Sequence, residues 1–318
     1  MKKILIFGGT GFVGTQVCEQ LNRLPCRVTV ATRRRDHARR LLPLPLVEVV
    51  EIDLHDGAAL AALVAGHDAV VNLIAILHGS EEAFQKAHVQ WPLLLARACK
   101  AGGVRRIVHI SALGASTESP SRYQRSKARG EAAMLGSGLD VTVLRPSVIF
   151  GADDKFLNTF ATLQQLFPVI PLAGSSARFQ PVWVGDVAKA VLRCLQDSAT
   201  VGNVYEACGP EVFTLKQLVQ LAGGYAGIGH GQGRPVLPLP NVLARIQAFL
   251  MELAPGDPIL SQDNLDALKT DNIASGHLPG LQALGITPAS LAAIGPTYLG
   301  ACGLRSGLTA KRRTSGRF

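Results

Sequence analysis

The chain has 318 residues, 47% of them hydrophobic, and a formal net charge of +9, which is ample for a sizeable core in one large domain or two and excludes a largely disordered chain. Aromatic residues make up only 5% and do not interleave with basic ones, so nucleic-acid binding is not expected. No run approaches the ~18 uninterrupted apolar residues of a membrane span, and the apolar stretch after Met1-Lys2-Lys3 is too short for a secretory signal, so the chain reads as cytoplasmic.

The first apolar run, Ile4 to Phe7, empties into Gly8-Gly9-Thr10-Gly11-Phe12-Val13-Gly14. The pattern predicts a strand, a tight turn and a helix whose N-terminal N–H groups face phosphates. Gly8 serves the turn, Gly11 the close approach of backbone to a pyrophosphate, and Gly14 the packing of helix on strand. Gly8, Thr10, Gly11, Phe12, Val13 and Gly14 are therefore candidate cofactor contacts.

From residue 1 to about 150, apolar β-type runs alternate with helical patterns. Strands are predicted at Lys3–Phe7, Arg27–Ala31, Val47–Ile52, Ala69–Leu73, Arg106–Ile110 and Val141–Leu144. Helices are predicted at Phe12–Leu24, Asp36–Leu42, Ala58–Ala65, Glu82–Ala101 and Tyr123–Leu135. This is the alternation of an α/β, Rossmann-type doubly wound parallel sheet. Ligands of such a sheet lie beyond the carboxyl ends of its strands.

The second strand runs into Thr32-Arg33-Arg34-Arg35, where a carboxylate would bind the ribose hydroxyls of NAD. Guanidinium groups suit a 2′-phosphate instead, so Arg33, then Arg34, point to NADP(H) in preference to NAD(H). Asp53 and Leu54 close the third strand; Asp53 could accept from an adenine amino group or cap the next helix. Ser111 ends the fifth strand, and Tyr123 and Lys127 share a helix face at i and i+4. The spacing lets an ammonium lower the phenol's pKa, so Tyr123 is the candidate acid/base, Lys127 its tuner and Ser111 the partner of a substrate oxygen.

Beyond residue 150, Pro and Gly break the chain into short helices, which predicts a smaller, mainly helical substrate region over 151–300. Segments near 180–210 return to the first domain, with Asn203–Ala207 as a further strand. Asn241–Leu253 carries Val242, Leu243, Ile246, Phe249, Leu250 and Leu253 as an apolar stripe. Core packing is the expected role of that stripe, the alternatives being a pocket wall or a surface that dips into a membrane interface. Residues 301–318 form a basic tail, read as a frayed terminus rather than a nucleic-acid arm or an anionic-lipid patch. The six scattered cysteines lack any C-x-x-C pair and read as reduced, buried thiols, and no metal site is expected.

The glycine loop, Asn72 after the fourth strand, Ser111, Tyr123-x-x-x-Lys127 and Leu144-Arg145-Pro146-Ser147-Val148-Ile149-Phe150-Gly151 together resemble the extended or atypical short-chain dehydrogenase/reductases. Gln180–Ala188 is similar to that family's re-entering segment. More narrowly, Asp154–Asn158, Leu278-Pro279-Gly280-Leu281 and Leu284-Gly285-Ile286 resemble the nucleotide-binding accessory subunits of respiratory complex I and their bacterial relatives. The resemblance implies NADP(H) held by the loop, with Asn72, Tyr123, Lys127, Pro146, Ser147 and Val148 among its contacts. It implies either an oxidoreductase or isomerase acting on a small apolar carbonyl or quinone-like compound, or a non-catalytic NADPH-binding accessory or assembly protein. The second would be associated with a respiratory or quinone-linked complex, peripheral at the inner face of a membrane.

Overall fold

The computed structural model describes residues 1–54, 56–253, 256 and 258–300. Tertiary contacts divide the chain into two units: Met1–Pro146 with Val184–Ala207 and Ala274–Thr287, and Ser147–Trp183 with Cys208–Ile273 and the described residues from Pro288 onward. The first unit ends at Pro146 rather than 150, and it takes back a late segment, Ala274–Thr287, that carries no periodic signal.

In chain order the first unit contains β1 (Lys3–Phe7), α1 (Phe12–Leu21), β2 (Arg27–Thr32), β3 (Val47–Glu51), α2 (Gly57–Val64), β4 (Ala69–Asn72), α3 (Glu81–Gln85), α4 (Trp91–Ala101), β5 (Arg106–Ile110), α5 (Arg122–Leu135) and β6 (Asp140–Pro146). The Val184–Gln196 helix and the Val204–Ala207 strand follow after the excursion into the second unit. The seven strands form one sheet in the order Val204–Ala207, β6, β5, β4, β1, β2, β3, and every pairing is parallel. β1 is buried from Ile4 to Phe7 and β4 throughout, as befits strands covered by helices on both faces. Leu5, Phe7, Val70, Ile107, Val141 and Val143 share one core with Trp91 and Leu95 of α4. The five described cysteines are buried free thiols; Cys302 and the basic tail lie outside the described residues.

Two helical expectations are corrected. Asp36–Leu42 is a short 3-10 helix, Arg35–Ala38, followed by hydrogen-bonded turns, because Pro43 bars a helix from continuing through the residues before it. The single helix expected over Glu82–Ala101 is instead α3, a π-helical turn at Lys86–Gln90, and α4. Pro92 has no N–H to donate to the carbonyl four residues back, that of His88, and the ladder reorganises there. A Cβ on Gly130 of α5 would stand 1.8 Å from that His88 oxygen, so α5 crosses the π turn at a distance only glycine permits.

The second unit contains the helices Leu157–Leu166, Leu215–Tyr225 and Leu291–Leu299, which pack around Phe150, Leu157, Leu218, Ala222 and Leu291. It also contains the Asn241–Leu253 helix. No helix among the described residues is long and apolar enough to cross a membrane.

One cation is built into the first unit's sheet. The buried Arg106 guanidinium donates to the Asp140 carbonyl (2.7 Å), to the Thr142 and Thr200 hydroxyls (2.8 Å each) and to the Cys194 carbonyl. It thereby ties β5 to β6 and to the segment after the Val184–Gln196 helix. Arg106→Ala should lower the free energy of unfolding by roughly 3 kcal/mol or more, because several buried acceptors lose their donor at once; urea denaturation of the two proteins measures this.

Candidate functional site

The glycine loop is built by contact. Gly8 adopts φ +80°, which favours glycine. A Cβ on Gly14 would lie 2.3 Å from the Gly8 oxygen and 2.5 Å from the Gly9 Cα, and one on Gly9 would lie 2.7 Å from a Val30 methyl. Gly11 is the N-cap of α1, so no side chain caps the helix, and no acidic residue occupies its first turn. An uncapped N-terminus held against the end of β1 is a cradle that suits an anion.

At the end of β2, the Thr32 hydroxyl donates to the Arg34 carbonyl and accepts from the Arg34 N–H, at 3.0 and 3.2 Å. The Arg34 guanidinium is clamped on Asp36 through two hydrogen bonds, 3.2 and 2.6 Å, while Arg33 is exposed on the same turn. Of the two arginines read as phosphate ligands, Arg34 thus has its charge matched by a neighbour. Asp53 is exposed and is not the cap of α2; that is Asp56, whose carboxylate accepts from the Ala58 and Ala59 N–H groups. Leu54 packs against the core.

Asn72, fully buried at the end of β4, is committed to protein partners. Its Oδ1 accepts from Trp91 Nε1 (3.0 Å) and from the Ile74 N–H (3.3 Å), and its amide donates to His109 Nδ1 (3.0 Å). Because an amide nitrogen only donates, His109 carries its proton on Nε2. Trp91 in turn stands edge-on to Phe7 of β1, 4.9 Å between ring centres. Asn72 orders the strand ends around the loop instead of offering a free side chain to a ligand.

Ser111 follows β5 with its backbone zipped to β6: its N–H donates to the Leu144 carbonyl and that of Leu113 to the Pro146 carbonyl. Its hydroxyl is buried and has no hydrogen-bond partner among the described residues. Lys127 is buried in α5, and its ammonium donates to the Ile110 carbonyl at 2.7 Å. Burial lowers its pKa to about 8, against the opposing effect of Glu131. Tyr123, half-buried one turn earlier, has its phenol pushed up by burial to about 12. The spacing led us to expect Lys127 to lower that value; instead burial dominates, and the ammonium is engaged with a strand carbonyl.

Two histidines complete the surroundings of Tyr123 and Lys127, and sequence reading had singled out neither. His88 stands edge-on to the Tyr123 ring, 5.5 Å between centres, and Phe84 flanks the same ring at 6.1 Å. The Ile76 N–H donates to His88 Nε2 (3.1 Å), so Nδ1 carries the proton and donates to the Ser126 hydroxyl (2.8 Å), which donates to the Tyr123 carbonyl (2.8 Å). Burial, reinforced by the charge of Lys127, takes His88 down to about 3 and holds the fully buried His109 well below the ordinary histidine range. The signal that could have found His88 is Pro92, four residues on, which frees its carbonyl. Behind Lys127, Glu131 accepts two-pronged bonds from Arg145 of β6, the shortest 2.6 Å. Within the second unit, Ser147 Oγ donates to Asn272 Oδ1 at 2.6 Å, and the Val148 N–H donates to the same oxygen at 3.1 Å; Pro146 is the last residue of β6.

Residues 4–208 match the profile of the NAD dependent epimerase/dehydratase family. The chain is 33% identical over 301 residues to the mitochondrial NADH dehydrogenase (ubiquinone) 1 alpha subcomplex subunit 9 of Arabidopsis thaliana, covering 90% of this chain and 74% of that one. It is 28% identical over 216 residues to quinone oxidoreductase 2 of Escherichia coli, covering 68% and 71%. Among solved structures, the Escherichia coli NADPH-dependent quinone oxidoreductase complexed with NADPH is similar in fold, with a TM-score of 0.73, 22% identity, and 91% and 97% of the two chains covered.

The neutral histidines give the site a pH signature. His88 titrates near 6.5 in the unfolded chain and near 3 in the folded one, so below pH 6.5 the unfolded state binds the extra proton and stability falls as pH drops toward 3. By about pH 4 this group alone should remove roughly 3 kcal/mol. In His88→Gln that part of the acid dependence should disappear, as chemical denaturation at successive pH values would register.

Proposed function

The chain belongs to the NAD dependent epimerase/dehydratase family, and from that premise we propose that it binds NADP(H) at the strand ends of its first unit and reduces a small apolar carbonyl or quinone-like compound. The observation that carries the reading is Ser111: a buried hydroxyl, fixed by its backbone, with no partner among the described residues. An unsatisfied buried hydroxyl costs stability unless a ligand oxygen meets it.

The cofactor's fit rests on the glycine cradle and the uncapped start of α1. Backbone groups of Gly8, Thr10, Gly11, Phe12, Val13 and Gly14 would hold its pyrophosphate, Asp53 and Leu54 its adenine, and Lys127 and Pro146 its nicotinamide half. Arg33 is the residue for a 2′-phosphate, because Asp36 already occupies Arg34. When bound, the cofactor supplies a hydride. Tyr123 supplies the proton: a phenol held up at about 12 stays protonated at neutral pH, which suits donation to a carbonyl oxygen. Ser111 holds that oxygen, and Lys127 sets the local charge.

A second reading is favoured by the extent of the likeness to the plant mitochondrial subunit, 33% over 90% of this chain: an NADPH-binding accessory or assembly protein of a membrane-attached respiratory or quinone-linked complex, peripheral at the inner membrane face. Both readings share the cofactor pocket and part at turnover.

Isothermal titration should show NADPH binding more tightly than NADH, with Arg33→Ala reducing the preference about tenfold; equal affinities in the unaltered protein would overturn the 2′-phosphate assignment. With an accepted quinone or carbonyl substrate, Tyr123→Phe should lower kcat at least ~100-fold. If the unaltered protein consumes no NADPH with any such compound yet co-purifies with a respiratory complex, the accessory reading replaces the enzymatic one.

A further inference from the structure

The helix Asn241–Leu253 is mounted the wrong way round for a soluble domain. Helices of globular units bury their apolar stripe and expose the polar one. Here the buried positions are the small residues Ala244 and Ala248. Polar groups fasten that side: Arg245 donates to Gln262 Oε1 (3.0 Å) and Asp266 Oδ1 (3.1 Å), Gln262 donates back to the Arg245 carbonyl (2.6 Å), and Glu252 accepts from the Gln262 N–H (2.9 Å). Val242, Leu243, Ile246, Phe249, Leu250 and Leu253 are all more than half exposed, Val242 at 72% and Leu253 at 68%. The expectation that this stripe packs into the core is thereby overturned.

We propose that this helix face is a membrane-docking surface for anionic lipid, in which the six apolar side chains enter the interface while residues 301–318 contribute charge. The argument for that occupant is complementarity. The 18 residues from 301 to 318 include Arg305, Lys311, Arg312, Arg313 and Arg317 and no Asp or Glu, and they follow in sequence on Leu291–Leu299, a helix of the same unit as Asn241–Leu253. An apolar helix face alone gives weak and reversible membrane binding; stable attachment takes a second signal, for which a polybasic segment serves. The polar fastening has a further merit for this purpose, since it keeps the helix seated on its own unit while the apolar side chains remain outward. The proposal deepens the membrane-linked reading above by naming the surface and the lipid charge, and it is independent of whether the cofactor turns over.

The test is co-sedimentation of the full chain with phosphatidylcholine vesicles, with and without phosphatidylglycerol, at low and high salt. Binding is expected with the anionic vesicles at low salt and should weaken as salt rises. Ile246→Ser with Leu250→Ser, both exposed changes, should reduce partitioning roughly tenfold or more, and Lys311→Glu with Arg312→Glu and Arg313→Glu should do so roughly tenfold. NADPH affinity and the urea midpoint should stay unchanged in both, which separates loss of the surface from loss of the fold or of the nucleotide site. The proposal is overturned if the unaltered chain ignores anionic vesicles, if neutral vesicles bind it equally, or if the serine variant binds as the unaltered chain does. It is also overturned if sedimentation velocity without lipid reveals a self-associated form that the serine variant abolishes, for then a second copy covers the face.

Discussion

Position 14 has room for a hydrogen and nothing larger. A methyl group there would drive into the Gly8 carbonyl and the Gly9 backbone, so α1 can start only as close to β1 as two glycines permit. That contact sets the rest of the first unit. It holds the uncapped end of α1 against β1, the strand flanked by β4 and β2 inside the sheet, and it seats Gly9 against Val30 of β2. The parallel register brings Phe7 of β1, Asn72 of β4 and His109 of β5 level with one another at the same edge of the sheet. A phosphate-binding loop of this sort is a packing solution first, and its capacity for an anion follows from the backbone amides that the packing leaves unsatisfied.

Around Lys127 the protein holds positive charge sparingly. Lys127 is the one ammonium buried in α5, and the groups packed near it are neutral imidazoles, a protonated phenol and an amide, with Glu131 and Arg145 behind as a matched pair. Burial opposes charge on each of these groups. The environment therefore keeps Tyr123 as the phenol at neutral pH. Asn72 and Trp91 lock His109 in one tautomer, and Ile76 with Ser126 does the same for His88, so the donor and acceptor sides of both imidazoles are fixed by hydrogen bonds made within the chain.

Much of this architecture can be read from the residues in order. Parallel core strands are nearly continuous apolar runs, which is why Lys3–Phe7 and Arg106–Ile110 were placed with their observed bounds, and the glycine spacing announces its own turn. Ser111, Tyr123 and Lys127 stood out because a strand end and a helix face give them a position. What stayed hidden depends on partners far away in the chain. Arg106 looks like any cation at a strand's start, yet it satisfies acceptors as distant as Thr200. His88 and His109 carry no periodic mark. The stripe of Asn241–Leu253 shows which residues share a face, but periodicity is blind to which face the rest of the unit will cover. The three-residue approach of Arg33, Arg34 and Arg35 likewise conceals that Asp36 removes one of them from contention.

The π-helical turn between α3 and α4 solves a problem of phase. Each residue of an α-helix advances the side chains by about 100°, so a single extra residue rotates everything after it by that amount relative to everything before. Phe84, before the insertion, and His88, within it, address Tyr123; Trp91 and Leu95 lie beyond it and address the sheet. A straight helix through the same stretch could satisfy one of these two audiences and would turn its back on the other. The turn works as a spline coupling that lets a single rod serve two misaligned sockets, and removing one residue from it would give a more regular helix whose two halves could no longer meet both Tyr123 and the sheet.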